Sequence, residues 1–253
     1  MDHKQVSIIC DTNIWYRLSD GRIDHQEIAG KHLIGTYING YEFCTSPNGL
    51  KDYTQLRAAV MAFDQYTTEL YCEPPIEYMK LVSGHQASQS NWEQISRLIK
   101  SVQRVVKPPE SHEEAARKAY QEYYDQTERD NKAFLDMIDE HRKQIEFRGL
   151  HKKQMSRAEV RYQHKEITKQ VITNTVAGLP LNWSALELYL STFDEWIRQL
   201  SMQSSLKIKP NDWNDLLNLS YVRPGFLYWT EDHKKTWEFI HSCGCGHYLY
   251  KHL

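Results

Sequence analysis

The stretch Val6-Ser7-Ile8-Ile9-Cys10-Asp11-Thr12-Asn13-Ile14-Trp15 decides the fold of this chain. Its first five residues are small or β-branched and largely apolar, a run short enough for one buried strand. Asp11, Thr12 and Asn13 all favour helix starts, so the strand is predicted to feed a helix that Gly21 interrupts. In open α/β sheets, ligands bind beyond the carboxyl ends of the strands, which is where Asp11 stands; the same carboxylate also suits a plain helix cap.

Outward from this stretch, the pattern predicts a helix over 24–38 ended by Asn39-Gly40. A second strand is expected at Tyr41-Glu42-Phe43-Cys44-Thr45, and then a turn at Ser46-Pro47-Asn48-Gly49 that opens the next helix. Strand, helix, strand, helix is the grammar of a parallel sheet, because parallel neighbours need a crossover connection. From about 50 to 200 the pattern is almost wholly helical. Helix starts are marked by capping boxes at Ser90-Asn91-Trp92-Glu93, Ser111-His112-Glu113-Glu114 and Ser184-Ala185-Leu186-Glu187. Pro74-Pro75, Pro108-Pro109 and Gly178-Leu179-Pro180 divide the region into blocks.

With 253 residues the chain can bury one sizeable core together with a large insertion. A formal charge of −2 excludes a uniformly basic nucleic-acid binder and leaves room for a locally basic one. There is no apolar run of about 18 residues and no signal-peptide cleavage pattern, so a cytoplasmic protein without membrane contact is expected. The five cysteines, Cys10, Cys44, Cys72, Cys243 and Cys245, lack the paired spacing of a zinc site and are expected to be free thiols in a reducing compartment.

Two long amphipathic stretches, 111–147 and 154–175, flank a hinge near Gly149, and their charges are segregated. Ten acids face four bases over 108–140, whereas nine bases face three acids over 141–170. The arms of such a hairpin can pair with each other. Alternatively the basic arm, with Arg142, Lys143, Lys152, Lys153, Arg157 and Arg161, tracks a phosphate backbone. The acidic arm would then dock on a protein partner or on a second copy.

Near the end, Asn211-Asp212-Trp213-Asn214-Asp215 opens a helix, with Asp212 suited to its N-terminal cap. Pro224-Gly225 turns the chain into Phe226-Leu227-Tyr228-Trp229, a second buried-strand candidate that ends at Thr230-Glu231-Asp232. Two parallel strands that each deliver an acid at their carboxyl end would bring Asp11 and Asp232 to one rim, with Asp215 across the cleft. Clustered carboxylates repel unless a cation lies among them, and hard oxygen ligands suit Mg²⁺ or Mn²⁺. Other α/β chemistries lack their motifs. Asn13 stands where a phosphoaspartate-forming hydrolase of the haloacid dehalogenase type needs a second Asp, and no nucleotide-binding glycine motif is present.

At both ends the chain resembles the PIN-domain nucleases. The match is carried by residues 6–15 with Asp11-Thr12-Asn13, by Asn211-Asp212-x-x-Asp215, by Tyr221, and by Thr230-Glu231-Asp232. It covers roughly residues 4–65 and 205–250. The family's further acid, most often Glu, follows a Ser or Thr by about six residues, a spacing that Ser46 to Asp52 reproduces with Asp in place of Glu; Glu42 is the alternative. The resemblance implies a three-layer PIN-like α/β fold with a small central parallel sheet. The nuclease core would span 1–70 and 200–253, and a helical insertion 71–199, with its charged hairpin at about 110–177. It further implies that Asp11, Asp52, Asp215 and Asp232 hold one or two Mg²⁺ or Mn²⁺ ions, supported by Thr12, Asn13 and Thr230. The implied activity is metal-dependent endonucleolytic hydrolysis of phosphodiesters, of RNA in preference to DNA. By analogy with family members, the chain would be a bacterial toxin or phage-defence effector. The alternative is a PIN-like scaffold that binds nucleic acid or a protein without cutting.

Overall fold

The computed structural model describes residues 6–45, 51–105, 157–202, 209–232 and 236–251, together with 114, 117–118, 121–122, 124–126, 128–129, 131–137 and 139–140. Its centre is a four-stranded, all-parallel open sheet of β1 (Ser7–Cys10), β2 (His32–Thr36), β3 (Glu69–Tyr71) and β4 (Phe226–Trp229), in the order β3-β2-β1-β4. The first and last strands are therefore neighbours, with Ser7 opposite Phe226 and Cys10 opposite Trp229. Ile8, Ile9 and Cys10 are consecutive and all buried, as are Leu33 and Ile34. Successive residues of a strand point to opposite faces, so this sheet is covered on both.

Around it lie α1 (Thr12–Ser19), α2 (His25–Ile28), α3 (Tyr37–Thr45), α4 (Tyr53–Tyr66), α5 (Pro75–Val82), α6 (Trp92–Arg104), α7 (Arg157–Thr175), α8 (Glu187–Met202), α9 (Pro210–Asn218) and α10 (Thr236–Ser242). Short 3₁₀ turns occupy Leu219–Tyr221 and Gly246–Tyr248. One helical group joins α1, α3, α4 and α6; a second joins α7, α8, α9 and α10. Trp15, fully buried on α1, meets Phe63 of α4 edge-on at 5.2 Å, and Phe43 of α3 meets the same ring at 5.5 Å. Each such side chain contributes roughly 1.5–3 kcal/mol by leaving water. The described residues between 114 and 140 are helical, and no helix among the described residues is long and apolar enough to cross a membrane.

The second strand is not where the sequence pattern puts it. Residues 32–36 form β2, and 41–45 belong to α3. His32, Leu33 and Ile34 pair with Ser7, Ile8 and Ile9, a ladder that no local pattern reveals. Gly35 belongs in this strand for a packing reason, since a Cβ there would lie 2.5 Å from the Phe63 ring. Nor does Asn39-Gly40 end a helix. The Asn39 side chain accepts from Thr36 N at 2.9 Å and donates to Cys10 O at 3.1 Å, tying the ends of β1 and β2 together. Gly40 lets α3 approach the Trp92 ring of α6. The edge strand β3, three residues long, falls inside the region read as helical. By contrast β1 and β4 lie where expected, and helices begin close to two of the expected starts, at Trp92 and Glu187, although Asn91 rather than Ser90 is the N-cap of the first and makes no side-chain cap bond. The turn at 46–49, residues 111–113 of the expected helix start and the hinge at Gly149 fall outside the described residues, whereas Glu114 is helical.

Candidate active site

The neighbouring strands β1 and β4 deliver polar groups to the same rim. Asp11 follows β1 directly and caps α1; its Oδ1 accepts from Thr12 N at 2.7 Å. Its Oδ2 accepts from Asn13 Nδ2 at 2.6 Å and from the Thr230 hydroxyl at 2.7 Å. Thr230, next after β4, also accepts from Asp232 N at 3.1 Å, so one hydroxyl links the acids of the two strands. Asn13 reaches across as well, its Oδ1 accepting from Glu231 N at 3.3 Å, and Glu231 pairs with Arg17 of α1 at 3.2 Å.

Asp215 of α9 and Glu42 of α3 complete the cluster. Burial raises the Asp11 carboxyl to about 6; the hydrogen bonds from Thr230, Thr12 and Asn13 oppose this, and the Asp232 charge adds to it. Burial likewise lifts Glu42 to about 7, reinforced by the Asp11 charge and opposed by hydrogen bonds with Thr12 and Asn214. Asn214 Nδ2 donates to Glu42 Oε1 at 3.1 Å. Asp215 is raised well above its ordinary value by burial and then by the charges of Asp11, Glu42, Asp232 and Asp212. Four carboxylates thus share one field with too little positive charge to offset it.

Of the acids expected from the sequence, Asp11, Asp215 and Asp232 feel one another's charge, and Thr12, Asn13 and Thr230 hydrogen-bond to Asp11. Asp52 does not join them. It is exposed and caps α4, accepting from Gln55 N at 2.9 Å, and Glu42 stands in the cluster instead. Glu42 reaches the rim because 41–45 is helical, which places it one turn after Asn39 on the same face. That helical register, together with the amide-rich neighbours Asn39 and Asn214, is the signal that a strand assignment hides. Of the basic residues, Arg142, Lys143, Lys152 and Lys153 lie outside the described residues, and Arg157 and Arg161 lie on α7.

α9 is held by an aromatic cluster. Trp213 packs edge-on against Phe134 and Trp196, both at 4.9 Å, and its indole N–H donates to Asn131. Two residues on, Asp215 borders a cleft open to solvent, whose other walls include Thr192, Trp196, Asp212 and Phe239.

The donor chemistry fits a hard divalent cation, being all oxygen, with carboxylates held by hydroxyl and amide groups behind them. Among the described residues, no three His, Cys, Asp or Glu side chains are grouped closely enough to hold an ion, so binding one requires side-chain movement. The chain matches no protein-family description, no curated protein and no solved structure.

Proposed function

We propose that this chain is a PIN-like, metal-dependent endonuclease that hydrolyses RNA phosphodiesters. The observation that supports this most directly is the group of Asp11, Glu42, Asp215 and Asp232 at the carboxyl rim of the parallel sheet, with the first three shifted toward protonation by burial and mutual repulsion. These four would hold one or two Mg²⁺ or Mn²⁺ ions, which when bound supply an activated water and neutralise charge on the phosphoryl oxygens. Thr12, Asn13 and Thr230 fix both oxygens of Asp11, and Asn214 orients Glu42. A carboxylate held from behind keeps its free lone pairs oriented for a cation. The basic segment from Arg142 to Lys169 is the candidate guide for the substrate backbone, through contacts that weaken with salt.

The test is cleavage of labelled single-stranded RNA and DNA with Mg²⁺, Mn²⁺ or chelator, in the native chain and in Asp11→Asn and Glu42→Gln. Cutting that requires metal and disappears in both variants supports the proposal, and the preferred polymer identifies the substrate class. Binding without cutting under every condition would replace it with the non-catalytic scaffold.

A further inference from the structure

α10 is followed by Cys243-Gly244-Cys245. Gly244 adopts φ +83°, its N–H donates to His241 O at 3.0 Å, and Cys245 N–H donates to Ile240 O at 2.9 Å. These two bonds with a left-handed glycine form a Schellman cap, which turns the chain back over the last helical turn. The cap holds the two cysteines, two residues apart, at the same helix end, close enough that each thiol shifts the ionisation of the other. Cys243 is partly exposed, whereas Cys245 is buried behind it at 5 % exposure. Cys243 Sγ also lies 3.8 Å from the Thr192 hydroxyl and, when protonated, donates to Ile240 O at 3.2 Å.

The five cysteines are not equivalent. Burial raises Cys10 well above its ordinary range, Cys44 to about 12 and Cys72 to about 11. Cys243 is lowered to about 7, chiefly by the hydrogen bond from Cys245, then by Thr192 and the Cys245 N–H, against burial and the Glu195 charge. A partly exposed thiol shifted toward ionisation, with a second, buried thiol two residues on, has the layout of an attacking and a resolving cysteine.

We propose that Cys243 and Cys245 form a redox-active dithiol, converted to an intramolecular disulfide by low-molecular-weight disulfides of the glutathione class. The Cys243 thiolate attacks one sulfur of the small disulfide, forming a mixed disulfide and releasing one thiolate that takes up a proton. Cys245 then loses its proton and attacks Cys243 Sγ, closing the Sγ–Sγ bond and expelling the second small thiol. Two cysteine thiols are oxidised and one disulfide is reduced to two thiols, with the protons balanced between them. The site stands independently of any nuclease activity.

The test treats the full native chain with oxidised glutathione, quenches, alkylates the unfolded protein and measures intact and peptide masses. The expected product has lost two hydrogen atoms, carries two fewer alkyl groups, and has both changes on the peptide containing Cys243 and Cys245. Cys245→Ser is expected to stop at a stable glutathione adduct on Cys243, and Cys243→Ser to leave residue 245 unmodified. A native chain that accumulates the Cys243 adduct without ring closure would overturn the proposal. So would one oxidised first at Cys10, Cys44 or Cys72, or one that does not react, and these outcomes are read without any variant.

Discussion

Replacing Glu42 by Gln removes one negative charge from the rim and keeps an amide oxygen to accept from Asn214. In the folded chain the Glu42 carboxyl stands at about 7 against an ordinary 4.5. At about 1.4 kcal/mol per unit, ionising it costs the folded state on the order of 3 kcal/mol, which solvent screening at a partly exposed site reduces to roughly 2 kcal/mol. The sign follows from linkage. A carboxyl raised on folding contributes stability that is fully present below pH 4.5 and is lost as pH rises through about 7. In chelator at pH 8, the Gln variant is therefore expected to melt above the native chain by roughly 4–8 °C, taking about 2–4 °C per kcal/mol for a chain of this size. The gap should close as the pH falls toward 4.5, where the native side chain is itself neutral. Adding Mn²⁺ or Mg²⁺ at about one hundred times its dissociation constant should stabilise the native chain by about 2.7 kcal/mol, and the variant by less. Thermal melts followed by circular dichroism across pH and metal concentration measure all three. A variant that melts below the native chain in chelator at pH 8, or a gap that does not change with pH, would refute an uncompensated charge at Glu42.

Thr230→Val deletes both the donor to Asp11 and the acceptor for Asp232 N–H. It should cost about 1–3 kcal/mol in urea unfolding and weaken Mn²⁺ binding by about 10–100-fold in titration calorimetry; unchanged affinity would remove Thr230 from the support of the site. Asp52→Ala should cost about 1 kcal/mol through loss of the α4 cap and leave nucleic-acid cleavage intact, whereas a loss as complete as in Asp11→Asn would return Asp52 to the site. Gly35→Ala should cost about 1–3 kcal/mol, because its Cβ meets the Phe63 ring that α1 and α3 also pack on; an unchanged urea midpoint would show that the ring can move aside.

Much of the framework is legible residue by residue. An apolar run followed by Asp11-Thr12-Asn13 is locally self-consistent, because strand propensity and helix capping meet at one position, and β1 and α1 form there. The run 226–229 after Pro224-Gly225 behaves likewise, so the strand-end acids Asp11 and Asp232 are named by local sequence, whereas the supporting role of Thr230 came with the family resemblance. What local sequence does not decide is the choice between 32–36 and 41–45 as the second strand. Both are short, β-branched or aromatic, and ambiguous in isolation. The choice falls to partners distant in the chain: the ladder with Ser7, Ile8 and Ile9, the Phe63 ring that crowds any Cβ at 35, and the Asn39 amide bound to the end of β1. The fourth acid depends on that same choice. Asp52 matches a spacing, but spacing along the chain places a side chain only when the intervening structure is known. Once 37–45 is helical, Glu42 turns to the rim and Asp52 caps the next helix in solvent. Local propensity thus supplied the strand ends and their caps, and long-range packing selected which carboxylates meet, because whether like charges share a field depends on distance in space, which the order of residues alone does not specify.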